Sequence, residues 1–204
     1  MTKRCPHCAH TVCDDNFPKK VVQIVRDDDP QNPRRDYDQF GVMACFHKRY
    51  DLGDEGHGIR SEDFDGWDEM KQHIWDELDA AVVLPMYMYG HSGITVNTTG
   101  FSCPWDSGQI GFIFITNKQL AEEYPKAQVE SGEALEIAKR LLIGEVETYD
   151  NYLTGACYGY RVIDEDGEET DSCWGFIGDD HKTNGIMDNV QSYLDDGYEL
   201  EEAD

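Results

Sequence analysis

Positive charge is what this chain has least of. Its 204 residues hold 17 Lys and Arg against 42 Asp and Glu, a formal net charge of −25. The shortage is local. Residues 1–50 carry nine basic against seven acidic residues, and residues 51–204 carry eight against thirty-five. Most of the chain therefore repels nucleic acid and acidic membranes at neutral pH, while the first fifty residues tolerate an anion. Long apolar runs are missing too. The best of them, residues 81–84 and 110–115, fall far short of the roughly 20 residues that cross a bilayer. The apolar stretch that opens a secretory signal is absent, and a Cys-x-x-Cys stands there instead. Both absences point to a soluble protein of the cytoplasm. Seven cysteines, an odd number at irregular spacing, argue against a disulfide framework and for reduced thiols or metal ligands. A Gly-rich phosphate loop, a G-x-S-x-G elbow, a recognised cysteine-protease signature and any internal repeat are also lacking.

What is present speaks for a folded body. Hydrophobic residues make up 39% of the chain, with eleven Tyr, eight Phe and four Trp, whereas disordered acidic chains are poor in aromatics. Residues 21–25 and 41–47 read as strands, and 27–37 as a polar loop broken by Pro30 and Pro33. From 64 to 78 the apolar residues Phe64, Trp67, Met70, Ile74, Trp75 and Leu78 fall on one helical face. Residues 82–89 form a strand in which Pro85 demands an edge or a bulge. Residues 94–98 and 109–116 continue the sheet. Asn117 caps a short helix to 124, and Ser131 caps a longer one whose stripe is Leu135, Ala138, Leu141, Leu142, Val146, Tyr149 and Leu153, stopping at Gly155. Residues 158–163 and 172–177 flank Asp166-Gly167, a hairpin signal. A last helix spans 184–194. The order predicts an α+β fold with a largely antiparallel sheet and three to four helices. Residues 1–18 read as a Cys/His-rich segment, 19–194 as one α+β domain, and 195–204 as a frayed acidic tail.

Several stretches are unusual in composition: Phe46-His47-Lys48-Arg49-Tyr50-Asp51-Leu52-Gly53-Asp54, the segment around His91-Ser92-Gly93-Ile94, residues 101–113 (FSCPWDSGQIGFI), residues 146–153 (VETYDNYL) and Ser172-Cys173-Trp174-Gly175-Phe176. Over roughly residues 40–178 the chain resembles a family of uncharacterised proteins carried by bacteriophages and related mobile elements. The resemblance implies a phage-type setting. It implies no activity and no catalytic residues, and it does not extend to the N-terminal cysteines.

Three constellations could carry chemistry. Cys5 and Cys8 stand at knuckle spacing for tetrahedral zinc, and Cys13 with His10 completes a set of four, with His7, Cys45 or His47 as alternatives. A structural Zn2+ would order that short segment; a metal-free reduced pair is the alternative. Second, His91, Cys103 and Asp106 sit on two turns that bracket one strand, a nucleophile-and-base set for a hydrolase or nucleotide-processing enzyme. They meet only if the chain between them folds back. A straight strand would part them by roughly 25 Å, and ordinary turn chemistry would then explain them.

The third constellation is acidic. Asp65, Asp68, Glu69, Asp76, Glu77 and Asp79 surround the helix near 64–78, and Glu133 and Glu136, with Glu145 and Glu147, line the long one. Carboxylates three or four residues apart on a helix stand about 5–6 Å from each other, close to successive phosphates of a strand. The expected function is an inhibitor that presents this pattern to a basic nucleic-acid-binding protein of the host, an anti-CRISPR or anti-restriction mimic rather than an enzyme. A zinc-stabilised adaptor is a further alternative. The basic residues Lys19, Lys20, Arg26, Arg34, Arg35, Lys48 and Arg49 are expected to pair with the acidic body rather than to hold nucleic acid.

Overall fold

In a computed structural model of the chain, residues 20–202 are described. Cys5, Cys8, Cys13 and His10, the expected zinc ligands, lie outside them. In chain order the elements are β1 (Val21–Arg26), β2 (Val42–Cys45), a 3-10 turn (Ser61–Asp63), α1 (Trp67–Asp76), β3 (Ala80–Gly90), β4 (Ile94–Asn97) and β5 (Ser107–Thr116). Then follow α2 (Asn117–Glu123), α3 (Lys126–Ser131), α4 (Glu133–Thr154), β6 (Cys157–Ile163), β7 (Glu169–Ile177), α5 (Ile186–Asp195) and β8 (Glu199–Glu202). This is an α+β fold with two largely antiparallel sheets, ordered β7-β6-β1-β8 and β2-β5-β3-β4. The packing groups the chain into two compact units. One is Gln31–Gly155; the other joins the described residues up to Pro30 to those from Ala156 onward. No helix among the described residues is long and apolar enough to cross a membrane.

In the Gln31–Gly155 unit the sheet is covered on both faces. Alternate residues of β5 serve two cores. Ile113 and Ile115 pack with Ala138, Leu142, Val146 and Tyr149 of α4, while Phe112 and Phe114 pack with Met70 and Ile74 of α1. A strand buried on both sides has no solvent face to make polar, so 110–115 is an unbroken apolar run. Pro85 sits in β3 beside Phe112 of β5, but β4 reaches only Tyr87–Gly90. β3 therefore has one neighbour at the proline, and the register shifts directly after it, between Met86 and Tyr87. Both devices spare a missing N–H.

The long helix differs from its expected form. Ser131 ends α3 instead of capping α4, and Gly132, at φ 79°, separates the two helices. Only glycine adopts that left-handed backbone without cost. Leu135 and Leu141 are exposed, and the buried stripe is Ala134, Ala138, Leu142, Val146 and Tyr149, two alanines allowing close approach to the sheet. Thr116, not Asn117, caps α2, in a reciprocal box with Gln119. Gly155 ends α4 as expected, at φ 79°.

In the other unit β1 is central, antiparallel to β6 and parallel to β8. α5 covers one face, with Ile186 and Val190 against Val22, Ile24, Tyr160 and Val162. The β6–β7 hairpin turns at Asp164, whose side chain accepts the N–H groups of Asp166 and Glu168, with Gly167 at φ 81°. The stretch expected to fray instead supplies β8. All four of its residues are exposed, so backbone pairing to the open edge of β1, not side-chain burial, holds it.

Candidate functional site

Asp65, Asp68, Glu69, Asp76, Glu77, Asp79, Glu133 and Glu136 are all exposed. None has a basic side chain within ion-pair distance among the described residues. Six of them belong to α1 and its flanks, in two groups. Asp65, Asp68 and Glu69 stand at the helix start, and Asp76, Glu77 and Asp79 at its end, about 12 Å further on at ~1.5 Å per residue. Some also have local work. Asp65 donates its backbone N–H to the Glu69 carboxylate at 2.6 Å, Gln72 donates to Asp76 at 2.6 Å, and Asn117 donates to the Asp79 side chain at 2.9 Å. Glu133 and Glu136 occupy the first turn of α4, where the helix dipole favours negative charge. α1 and α4 cover opposite faces of one sheet, so the two acidic groups do not share a surface. Glu145, expected on the acidic line of α4, is drawn inward instead.

Its partner is Arg34, the one charged side chain in the buried set among the described residues. Arg34 Nε and Nη2 donate to the two oxygens of Asp54 at 2.7 Å each, Nη1 donates to Glu145 at 3.0 Å, and Nη2 also donates to the Gly41 carbonyl at 2.7 Å. Burial alone would lower the Arg34 pKa, but Asp54 and Glu145 outweigh it and hold the pKa above its ordinary value. The carboxylates are bonded further. Glu145 accepts the Phe40 N–H at 2.6 Å, and Asp54 accepts the Met43 N–H at 2.8 Å. Arg34 thus ties the 31–41 loop, the start of β2 and α4 together. The expectation that the N-terminal cations pair internally holds for Arg34, for Arg35 with Asp51 at 2.6 Å, and for Lys20 with Glu165 at 3.2 Å. It does not hold for Lys48 and Arg49, which have no carboxylate within ion-pair distance among the described residues. Sequence reasoning could see that arginines would be paired; nothing in it marked Arg34 as the buried one.

The turns bearing His91, Cys103 and Asp106 do come together. β4 is only four residues long. Behind it, Asn97 accepts the N–H groups of Thr99 and Gly100, a turn that sends the chain back. The Gly90 N–H then donates to the Asp106 carbonyl at 2.9 Å. His91 Nδ1 lies 3.7 Å from Asp106 Oδ2, and the Cys103 thiol lies 3.8 Å from the same oxygen. The carboxylate is in the middle. A nucleophile–base relay needs the imidazole there, with the acid behind it. The cluster is also open: the His91 side chain is 69% exposed and neighbouring Trp105 92%. Its geometry is that of a solvent-facing turn.

Among the described residues, two clefts of the Gln31–Gly155 unit are well formed. One, of about 490 Å³, runs between β4 and α4, from Asn97–Thr99 to Glu147 and Asp150. Asp150 is engaged there by the Thr95 hydroxyl and the Val96 N–H, both at 2.7 Å. The other, of about 640 Å³, is lined by residues 45–52 with Ser61 and Trp67. Its half-buried Cys45 is not a nucleophile at neutral pH, because burial, aided by Asp54, pushes its thiol up to about 12. No group of three or more His, Cys, Asp or Glu among the described residues is placed to hold a metal ion. The chain matches no protein-family model, no curated protein and no solved structure.

Proposed function

We propose that this chain is a stoichiometric, non-catalytic inhibitor that seats its acidic α1 face in the nucleic-acid cleft of a basic protein. The partner class is a bacterial restriction or CRISPR-type defence enzyme, met in a phage infection. One observation carries the reading: Asp65, Asp68, Glu69, Asp76 and Glu77 are exposed on and beside one helix with no ion pair among the described residues and Lys71 as that helix's one Lys or Arg, on a chain of net charge −25. Charge left uncompensated in this way strains a compact fold by self-repulsion and speeds encounter with a surface of opposite sign. A helix holds its carboxylates at fixed spacing, so little ordering entropy is lost when they dock.

The test is capture from a bacterial lysate at low salt, followed by competition. The expected partner is a nucleic-acid enzyme recovered in fixed ratio and released by duplex DNA, with affinity falling more than about tenfold between ~0.05 and ~0.3 M salt. Simultaneous Asp68→Lys, Glu69→Lys, Asp76→Lys and Glu77→Lys should abolish the complex while the fold persists. A complex indifferent to salt, to DNA and to these reversals would refute mimicry.

A further inference from the structure

We propose that the cleft formed by residues 46–50 and Trp67 binds a small anion carrying a flat ring, of the nucleoside monophosphate class. The inference does not rest on the acidic face, although Trp67 opens α1 between Asp65 and Asp68 and the two adjoin there. A volume of about 640 Å³ lies within the range of small-molecule sites. Its lining joins two kinds of group in one short loop. Phe46, His47, Tyr50 and Trp67 supply ring faces: His47 stacks on Tyr50 with centroids 5.0 Å apart and planes at 16°, and Phe46 approaches Trp67 at 6.3 Å. Lys48 and Arg49 supply positive charge, both exposed and both without an acidic partner among the described residues. The one carboxylate in the lining, Asp51, is already held by Arg35 at 2.6 Å. Ser61 adds a hydroxyl at the rim.

In a chain with more than twice as many acidic as basic residues, two adjacent cations without a carboxylate partner among the described residues, Arg49 lying over the Tyr50 ring at 5.7 Å, need an account. Solubility does not explain them, and neither does the acidic face. Rings that stack on a base and cations that take its phosphate do. The loop is also pinned at its base. Ala44 bridges to Gly53, Asp54 exchanges hydrogen bonds with Met43 at 2.8 Å in each direction, and the Gly53 N–H donates to the Tyr149 hydroxyl at 3.1 Å. A ligand would therefore meet a loop that is already held, and less ordering would oppose binding. The field of the acidic chain disfavours a polymer with many phosphates and tolerates a single one, so the free nucleotide is the assigned source.

The experiment is isothermal titration calorimetry of the full chain with adenosine monophosphate, adenosine, inorganic phosphate and a short oligodeoxyadenylate. Adenosine monophosphate should bind at one site, at least tenfold more tightly than adenosine or phosphate alone. Lys48→Ala with Arg49→Ala should weaken it at least tenfold, and Tyr50→Ala should weaken adenosine as well, with circular dichroism unchanged because all three side chains are exposed. Absence of binding, an unaffected double variant, or phosphate binding as tightly as the nucleotide would overturn the proposal. An oligonucleotide that binds more tightly than the mononucleotide would overturn the assignment to a free nucleotide.

Discussion

In the Gln31–Gly155 unit both faces of the sheet lie under helices, α1 on one side and α4 on the other, whereas α5 is the described helix packed on the sheet of the second unit. The strands show the difference. β5 has six consecutive buried residues, while β7 has none. The units also settle their carboxylates differently. Residues 31–155 hold ten basic against twenty-two acidic residues, and the described residues of the second unit, 20–30 and 156–202, hold four against seventeen. The first unit can spend an arginine on a buried trio. In the second, where cations are scarce, phenols take their place: Tyr158 donates to Asp179 and Tyr193 to Asp171, each at 2.6 Å. Accepting carboxylates hold these phenol protons in place, pushing Tyr193 up to about 12 and raising Tyr158. Where lysine and arginine run short, a neutral donor can satisfy a carboxylate without neutralising it, so the surface keeps its charge.

The contrast is broken most severely at Arg34. Arg34→Ala leaves Asp54 and Glu145 facing each other without a counter-charge, and the Gln31–Gly155 unit should lose about 3–5 kcal/mol in urea unfolding. Hydrogen exchange should localise the loss to β2, β5 and α4 and leave β1 and β6 protected. An effect under ~1 kcal/mol would mean the trio is dispensable.

Next come two glycines at close backbone approaches, one in each unit. A Cβ at Gly111 would fall on the Ala44 carbonyl, which the sheet cannot move, whereas one at Gly159 would meet first the ring of Trp174, a residue 47% exposed, and less closely the Cys173 carbonyl at 2.8 Å. Gly111→Ala should cost about 2–3 kcal/mol and Gly159→Ala about 1–2 kcal/mol, the top and middle of the overpacking range. Equal costs would contradict the difference in rigidity drawn here.

The smallest effects are in pH, and they run in opposite directions. Burial lowers the pKa of His57, against a weaker pull from Asp54. The folded chain therefore binds this proton less readily than the unfolded one, and the Gln31–Gly155 unit should lose stability as pH falls below about 6.5, the unperturbed histidine value. His57→Asn should flatten that slope. Tyr193 is raised, so its contribution is whole below about 10 and is lost as pH climbs towards about 12. Tyr193→Phe should remove that alkaline loss from the second unit, seen in the midpoint of unfolding against pH.

Much of the secondary structure was legible in local chemistry. β1, the paired β6 and β7, the turn at Asp164–Gly167 and the stop at Gly155 follow from β-branched runs, Asp-Gly and a glycine free to adopt positive φ. Pro85 announced an edge or a bulge, and the chain uses both. The misses share one cause. Ser131 looked like a cap because its residue type suits one, but the choice between α3 and α4 fell to Gly132. The residues of β8 carry no side-chain signal because the strand is held by its backbone. Whether His91 reaches Asp106 depended on a four-residue strand and the turn after it.

By itself the sequence determined the charge, the α+β composition and the apolar run that had to be central, because charge and hydrophobic pattern are properties of residues one at a time. Tertiary structure alone decided which arginine is buried, that α1 and α4 carry their carboxylates on opposite faces, and that Lys48 and Arg49 share a cleft with four rings. Those are properties of pairs distant along the chain, and only the closing of the sheet under its two helices sets their distances.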